Sequence, residues 1–469
     1  MSRVIGVCVS CIGAVSGLAL GAPGGQVQDP TRYRLVEGSA LIHIIDDVVV
    51  IAPLQGTYDL RPTDSPDQFL VENLRGFDSS GSQLVTGHGN YMFNYGYQRM
   101  VLQVLIGGLP YDLDSGWVPF ETFLPMMTVH LYEVDPVSPE WYELQLTAVP
   151  ALNVWFSTEV PFHTPSGQLI SDGDVLSVFG ARIWTNAQLT QNFHLQPPQD
   201  IGCDAIDPVE IDGPPWWRCF YSAEVDAYSG SQGWLQHGDF LSETGFIVAR
   251  NWDLVQNFLP DFPVDYGLDA ITWGWPCNGY YFSTEIDFWS NHMQGWCHHG
   301  DLLCQVDGWV YRRNQELLAK FQVLPPVQPD YGLDAVYLWW PYAHIWFSTE
   351  DGFQDYRFGG ISDGDLLSTD GWVIYRNRDL VRRFEPVEDL DNFGLDALHV
   401  VPIRRGDMNG DSQIDGFDIQ PFTIALVDSD RYYQMYPELN PNVVGDCNYD
   451  GVMDGFDIQP FVALLTGGK

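Results

Sequence analysis

Residues 407–418 read D-M-N-G-D-S-Q-I-D-G-F-D, and residues 446–457 read D-C-N-Y-D-G-V-M-D-G-F-D. Both twelve-residue runs put an oxygen-bearing side chain at positions 1, 3, 5, 9 and 12. These are Asp407, Asn409, Asp411, Asp415 and Asp418 in the first, and Asp446, Asn448, Asp450, Asp454 and Asp457 in the second. Position 7, where a backbone carbonyl serves, is Gln413 or Val452. Ca²⁺ takes six to eight oxygen ligands at flexible geometry, and a loop of this spacing wraps them round one ion. Two calcium ions are therefore expected, one per loop. The stretch G-F-D-I-Q-P-F occurs at 416–422 and again at 455–461, so the tail is a tandem duplication.

A helix must follow each loop to hold its end. Ile419, Phe422 and Leu426, and then Ile458, Phe461 and Leu465, recur at helical spacing and predict an apolar stripe. Pro421 and Pro460 fall in the first turn, where a missing N–H costs little. With loops and helices in this register, residues 404–469 resemble the type I dockerin domain. The resemblance implies calcium-dependent folding and docking to a cohesin-like module or cell-envelope protein. It also implies that loop positions 10 and 11 help choose that partner. Here they are Gly416-Phe417 and Gly455-Phe456, the same pair twice, as a two-fold symmetric docking face requires. Ser412 stands at position 6 of the first loop, where the family usually has Gly.

Ahead of the tail, four segments within 151–403 share one plan. Each begins with an aromatic-Ser-x-Glu strand, at Ser157/Glu159, Ser222/Glu224, Ser283/Glu285 and Ser348/Glu350. A Gly-Asp turn follows, at Gly173-Asp174, Gly238-Asp239, Gly300-Asp301 and Gly364-Asp365. A β-rich run then closes on Asn186, Asn251, Asn314 or Asn377, and an Asp-Ala element ends the unit at Asp204, Asp269, Asp334 or Asp396. A period of about 65 residues marks an array of repeats. Four short strands per unit suit a propeller blade. A four-bladed propeller is the first expectation, with a linear or paired-sheet β stack as the alternative.

The recurrent acids carry more than one chemical reading. A glycosidase needs two carboxyl groups flanking one bond. A catalytic pair belongs at one asymmetric site, however, whereas these residues return in every unit, which favours turn-capping and inter-strand hydrogen bonds. In a closed ring, Asp204, Asp269, Asp334 and Asp396 would converge on one axis and suit a metal. Paired aromatics lie between an Asp-Ala element and the next Ser-x-Glu strand: Trp216 and Trp217, Trp273 and Trp275, Trp339 and Trp340. Exposed on a rigid β scaffold, such rings stack on sugars; buried, they fill the core between units. No G-x-S-x-G elbow, H-E-x-x-H or phosphate-cradling Gly loop occurs.

Residues 22–150 lie outside the repeat. Alternating runs at 48–51, 100–105 and 128–132 read as strands between Gly, Pro and Asp turns, and a β-sandwich is the simplest packing for them. Residues 1–21 read as a secretory signal peptide, with Arg3, an apolar run from Val4 to Leu20 and a small-x-small cleavage site. No other segment is long and apolar enough to predict a membrane span. In an oxidising setting the local disulfide candidates are Cys203 with Cys219, and Cys277 with either Cys297 or Cys304. A net charge of −41, with 21 Lys+Arg against 62 Asp+Glu, excludes nucleic-acid binding through a basic surface.

The sequence thus predicts a mainly β, secreted or cell-surface protein. Its tail binds calcium and docks to a partner, and its repeat body binds extracellular polysaccharide without catalysis. A dockerin-tethered glycoside hydrolase and a purely structural surface protein are the alternatives.

Overall fold

The computed structural model describes residues 30–120, 126–134, 136, 139–211, 217–326, 329–339 and 344–466. The signal peptide, Trp216 and Trp340 lie outside the described residues. The chain is mainly β and divides into two units, residues 1–152 with 402–469, and residues 153–401.

In the first unit, eleven strands form one antiparallel sheet: β1 (Thr31–Leu35), β2 (Ala40–Ile45), β3 (Val48–Pro53), β4 (Gln55–Pro62), β5 (Gln68–Phe77), β6 (Gln83–Asn94), β7 (Tyr97–Ile106), β8 (Leu109–Asp114), β9 (Val118–Pro119), β10 (Met127–Glu133) and β11 (Glu140–Pro150). Alternation assigns the faces. On β7, Gln98, Met100, Leu102, Val104 and Ile106 are buried while Tyr97, Gln103 and Leu105 are exposed. β1 pairs with β4 along one edge and with β11 along the other, so the sheet returns on itself. The domain is therefore a closed sheet and not the two stacked sheets expected of residues 22–150. Closure rests on one five-residue strand, which leaves no distinct mark in the hydrophobic pattern. Tyr58, Tyr91, Met100, Leu113, Leu131 and Leu144 belong to the cluster that fills the interior, as side chains fill small barrels generally.

The tail of this unit carries helices Ile419–Val427, Ser429–Met435, Pro441–Val444 and Ile458–Leu465. Tyr433 lies between two guanidinium groups, Arg32 at 4.8 Å and Arg75 at 4.9 Å from its ring centre. Arg32 is buried, donates to both carboxylate oxygens of Asp59 at 2.9 and 3.2 Å, and donates through Nε to the Pro437 carbonyl at 3.0 Å. One arginine thus joins the first strand, the fourth strand and the tail.

In the second unit, each Asp-Ala element opens the sheet of the following repeat. Strand Ile271–Gly274 pairs with Gly279–Phe282, and Val336–Trp339 pairs with His344–Phe347. The last such strand, Leu398–Val401, pairs with the first strand of the array, Asn153–Phe156, with Asn153 opposite Val401. The array therefore closes.

The repeated residues build the frame of that closure. Each Ser hydroxyl donates to the carbonyl just before an Asp-Ala element: Ser157 to Cys203 at 2.6 Å, Ser222 to Leu268 at 2.9 Å, Ser283 to Leu333 and Ser348 to Leu395 at 2.8 Å. Each Asn amide reaches the glycine carbonyl two residues before the Asp, as Asn377 does to Gly394 at 2.7 Å. The Asp of each Gly-Asp turn is ion-paired with Arg182, Arg250, Arg313 or Arg376. Gly202, Gly267, Gly332 and Gly394 have φ between +72° and +76°. A Cβ there would meet Glu224, Glu285, Glu350 or Glu159 at 2.3–2.5 Å. Left-handed backbone and close approach both demand glycine at these four positions.

Candidate functional site

The two twelve-residue runs of the tail fold as turns whose acids close on their own backbone. Asp407 and Asp446 begin them, both buried, and each carboxylate accepts two backbone N–H groups. Gly410 and Ser412 donate to Asp407 at 2.7 and 2.9 Å, and Asp450 and Gly451 donate to Asp446 at 3.1 and 3.0 Å. Asp418 ends the first loop and accepts from the N–H groups of Met408, Asn409 and Asp415. Asp457 does the same for Asn448 and Asp454 in the second. Positions 4 and 6 are left-handed in both loops: Gly410 at +79° and Ser412 at +65°, Tyr449 at +66° and Gly451 at +91°. Ser412 therefore adopts the conformation that Gly usually supplies, and the easy glycine has moved to position 4.

The donor set fits a hard cation. Every side-chain donor is an oxygen, and the carboxylates press on one another. Burial, then the charges of Asp418 and Asp411, push Asp407 well above the usual carboxylate range. Burial, with Asp411 adding to it, pushes Asp418 up to about 7. A divalent ion would relieve that repulsion, and Asp407, Asn409, Asp411, the Gln413 carbonyl, Asp415 and Asp418 are the groups that would hold it. In the second loop the groups are Asp446, Asn448, Asp450, the Val452 carbonyl, Asp454 and Asp457. There Asp446 also pairs with Arg405 at 2.8 Å, which offsets part of that loop's negative charge.

Each loop runs into its helix through a capped turn. Asp415 accepts from the Phe417 N–H and Asp454 from the Phe456 N–H, both at 2.7 Å, with backbone angles that agree to within a degree. The two helices meet at Phe422 and Phe461, whose rings stack 4.0 Å apart and 3° from parallel. The expected apolar stripe splits here. Phe422 and Phe461 are buried, whereas Ile419 and Ile458 are exposed beside Phe417 and Phe456. Each short helix turns one aromatic inward, with Pro421 and Ala425 buried beside Phe422 and with Leu426 and Leu465 half-buried, so the stripe is open mainly at its isoleucines.

The tryptophans divide similarly. Trp217 is buried with its ring 5.0 Å from that of Trp155, and Trp339 is half-buried with its ring 5.0 Å from that of Trp346. Burial takes Trp217 out of a sugar-stacking role, whereas Trp339 keeps part of its surface open. Trp273 and Trp275 are more than half exposed. Two further aromatic pairs escaped the sequence reading, with Tyr228, Trp234 and Trp296 exposed and Trp289 half-buried. Tyr228 lies across from Trp234 and Trp289 across from Trp296, on separate two-stranded hairpins of the second and third repeats. The signal was present as an aromatic on each arm of a short turn, but only two of the four repeats carry it.

The disulfide expectations are corrected in one place. Cys277 bonds to Cys304, one of its two candidate partners, while Cys203 and Cys219 are free and buried in one cluster. Elsewhere, Asp59, Glu72 and Asp114, acids of the N-terminal sheet outside the repeats, pair with Arg32, Arg61 and Arg99. Comparison of the chain with protein-family models, with curated proteins and with solved structures returned no match.

Proposed function

We propose that this is an exported calcium-dependent docking protein whose tail is a dockerin-like module carrying two ions. The observation that carries the reading is the internal symmetry of the tail. The loops share one backbone path, the helices meet ring to ring, and Phe417 and Phe456 are 77% and 78% exposed. Two equivalent apolar tips, each following a small Gly416 or Gly455, form a face that one cohesin-like module engages in either of two orientations. Exposed apolar clusters of this kind commonly mark interaction sites.

The closed array we read as a four-bladed propeller that binds extracellular polysaccharide. Trp273, Trp275 and the pairs Tyr228/Trp234 and Trp289/Trp296 support this reading, being aromatic faces held on rigid hairpins.

Calorimetric titration of the full chain with Ca²⁺, and of Asp450→Ala beside it, tests the tail. The variant should bind one ion fewer; an unchanged count refutes the loop assignment. Binding to immobilised cohesin modules should need Ca²⁺ and be lost in Phe417→Ala/Phe456→Ala. Retention of the double variant in EGTA would overturn the docking face. For the array, retardation in polysaccharide-containing gels should disappear in Trp234→Ala/Trp296→Ala.

A further inference from the structure

The centre of the array gathers carboxylates that nothing else in the molecule explains. Side-chain oxygens of Glu159, Asp334 and Asp396 lie within 4.8 Å of one another, and so do those of Asp204, Glu224 and Asp396. Asp396 belongs to both trios and so links them, with Glu159 at their exposed end. Asp204, Asp269 and Asp396 are only 9%, 7% and 4% exposed. Asp269 Oδ2, Asp334 Oδ2, Asp396 Oδ2 and Glu224 Oε1 are buried with no hydrogen-bond partner. A buried carboxylate oxygen is tolerated when it is paired, hydrogen-bonded or bound to a metal.

The repeats also differ where a counter-charge could come from. The residue before each Gly-Asp turn is His237 in the second repeat and His299 in the third, but Asp172 in the first and Asp363 in the fourth. His237 lies 3.8 Å from Glu285, and His299 lies 3.1 Å from Glu350. Glu159 and Glu224 have no such histidine, and among the described residues no ion pair reaches either of them or any of Asp204, Asp269, Asp334 and Asp396. The two glutamates without a histidine are the two that complete the trios.

We propose that Glu159, Asp204, Glu224, Asp334 and Asp396 bind one calcium ion on the axis of the array, independently of the tail loops. The donor set is all oxygen, which selects a hard cation over zinc or copper. Ligands about 2.4 Å from one Ca²⁺ stand at most about 4.8 Å apart, the spread found within each trio, and Asp396 is common to both. The carboxylates are presented by rigid pieces: the serine hydroxyls fix the carbonyl before each Asp, and the left-handed glycines seat each Glu. Glu159 comes from the first repeat and Asp396 from the last element, so the ion ties the seam where the ring closes.

Metal content of the full chain tests this directly. Wild-type protein, desalted from buffer containing Ca²⁺, should carry three ions by mass spectrometry: two in the tail and one on the axis. A chain with both loops disabled, Asp407→Ala/Asp411→Ala/Asp446→Ala/Asp450→Ala, should keep one ion, and adding Asp334→Asn/Asp396→Asn should remove it. Two ions in the wild type and none in the loop-disabled chain would overturn the axial site while leaving the tail reading intact. A single ion in the wild type that survives the loop substitutions would do the reverse. If the double axial variant does not fold, Glu224→Gln in the loop-disabled chain serves instead. Chelator competition should show at least a tenfold loss of Ca²⁺ affinity, and unchanged affinity would refute the proposal.

Discussion

The Ala397 N–H donates to Ser157 Oγ at 2.9 Å, across 240 residues of sequence. The same hydroxyl donates onward to the Cys203 carbonyl at 2.6 Å. Ser157 therefore receives from the last repeat element and gives to the first, and it stands at the one point where the array is joined without a covalent link.

Ser157→Ala should weaken the array by about 2–3 kcal/mol, since it strands a buried donor and a buried acceptor together. The exposed Ser166→Ala should leave stability within about 0.5 kcal/mol of the parent. Denaturant midpoints of the two variants, followed by tryptophan fluorescence, make the comparison.

His299 supplies a pH dependence. Its Nδ1 lies 3.1 Å from both Glu350 oxygens, and that hydrogen bond, against some loss from burial, pushes its pKa up to about 9. A folded-state pKa above the unfolded value of about 6.5 stabilises the protein fully below pH 6.5 and is lost as pH rises through 9. With the ring partly open to solvent, the stabilisation lost is about 1 kcal/mol. Wild-type melting temperature should therefore fall between pH 6.5 and 9, and the slope over that window should flatten in His299→Gln.

Among the described residues Cys203, Cys219, Cys297 and Cys447 are free, and burial pushes all four thiols up, Cys297 and Cys447 to about 12. Alkylation of the folded protein should leave all four unmodified, because neither access nor thiolate is available. Unfolded without reductant, they should all react while Cys277 and Cys304 remain linked. A peptide joining Cys203 to Cys219 would contradict the arrangement.

Arg32 and Tyr433 should separate under substitution. Arg32→Met leaves Asp59 buried without its partner and should cost about 3–5 kcal/mol. Tyr433→Ala keeps that pair and removes only the ring between the guanidinium groups, at about 1–2 kcal/mol. Hydrogen exchange in helix Ser429–Met435 should accelerate in both variants.

The repeat was readable because each of its marks performs the same bond in every unit. Ser reaches a carbonyl, Asn holds a glycine, the Gly-Asp acid takes an arginine, and glycine makes room for glutamate. Periodicity in sequence was periodicity of hydrogen bonding. The tandem turns of the tail stood out for a related reason, since the same acids recur in the same register and close on their own backbone N–H groups. Closure of the N-terminal sheet was not, because β1 carries the same alternation whether it ends a sheet or joins two edges. Burial of Trp217, set against exposure of Trp273, depends on what packs against each ring, which local sequence does not encode. The axial carboxylates were visible as a recurring Asp, but the feature that singles out Glu159 and Glu224 is a histidine missing from two repeats in four.

Asn153 and Val401 face each other as register partners, so the array enters and leaves the polypeptide at a single point. Every strand of the N-terminal sheet and every helix of the tail comes from residues outside that interval. In topological terms residues 153–401 are a cassette. Joining Leu152 to Pro402 through a turn of about two residues closes the gap at little more entropic cost than a hairpin. Gain, loss or exchange of the whole body is then one genetic step, taken without redesigning the sheet before it or the helical tail after it.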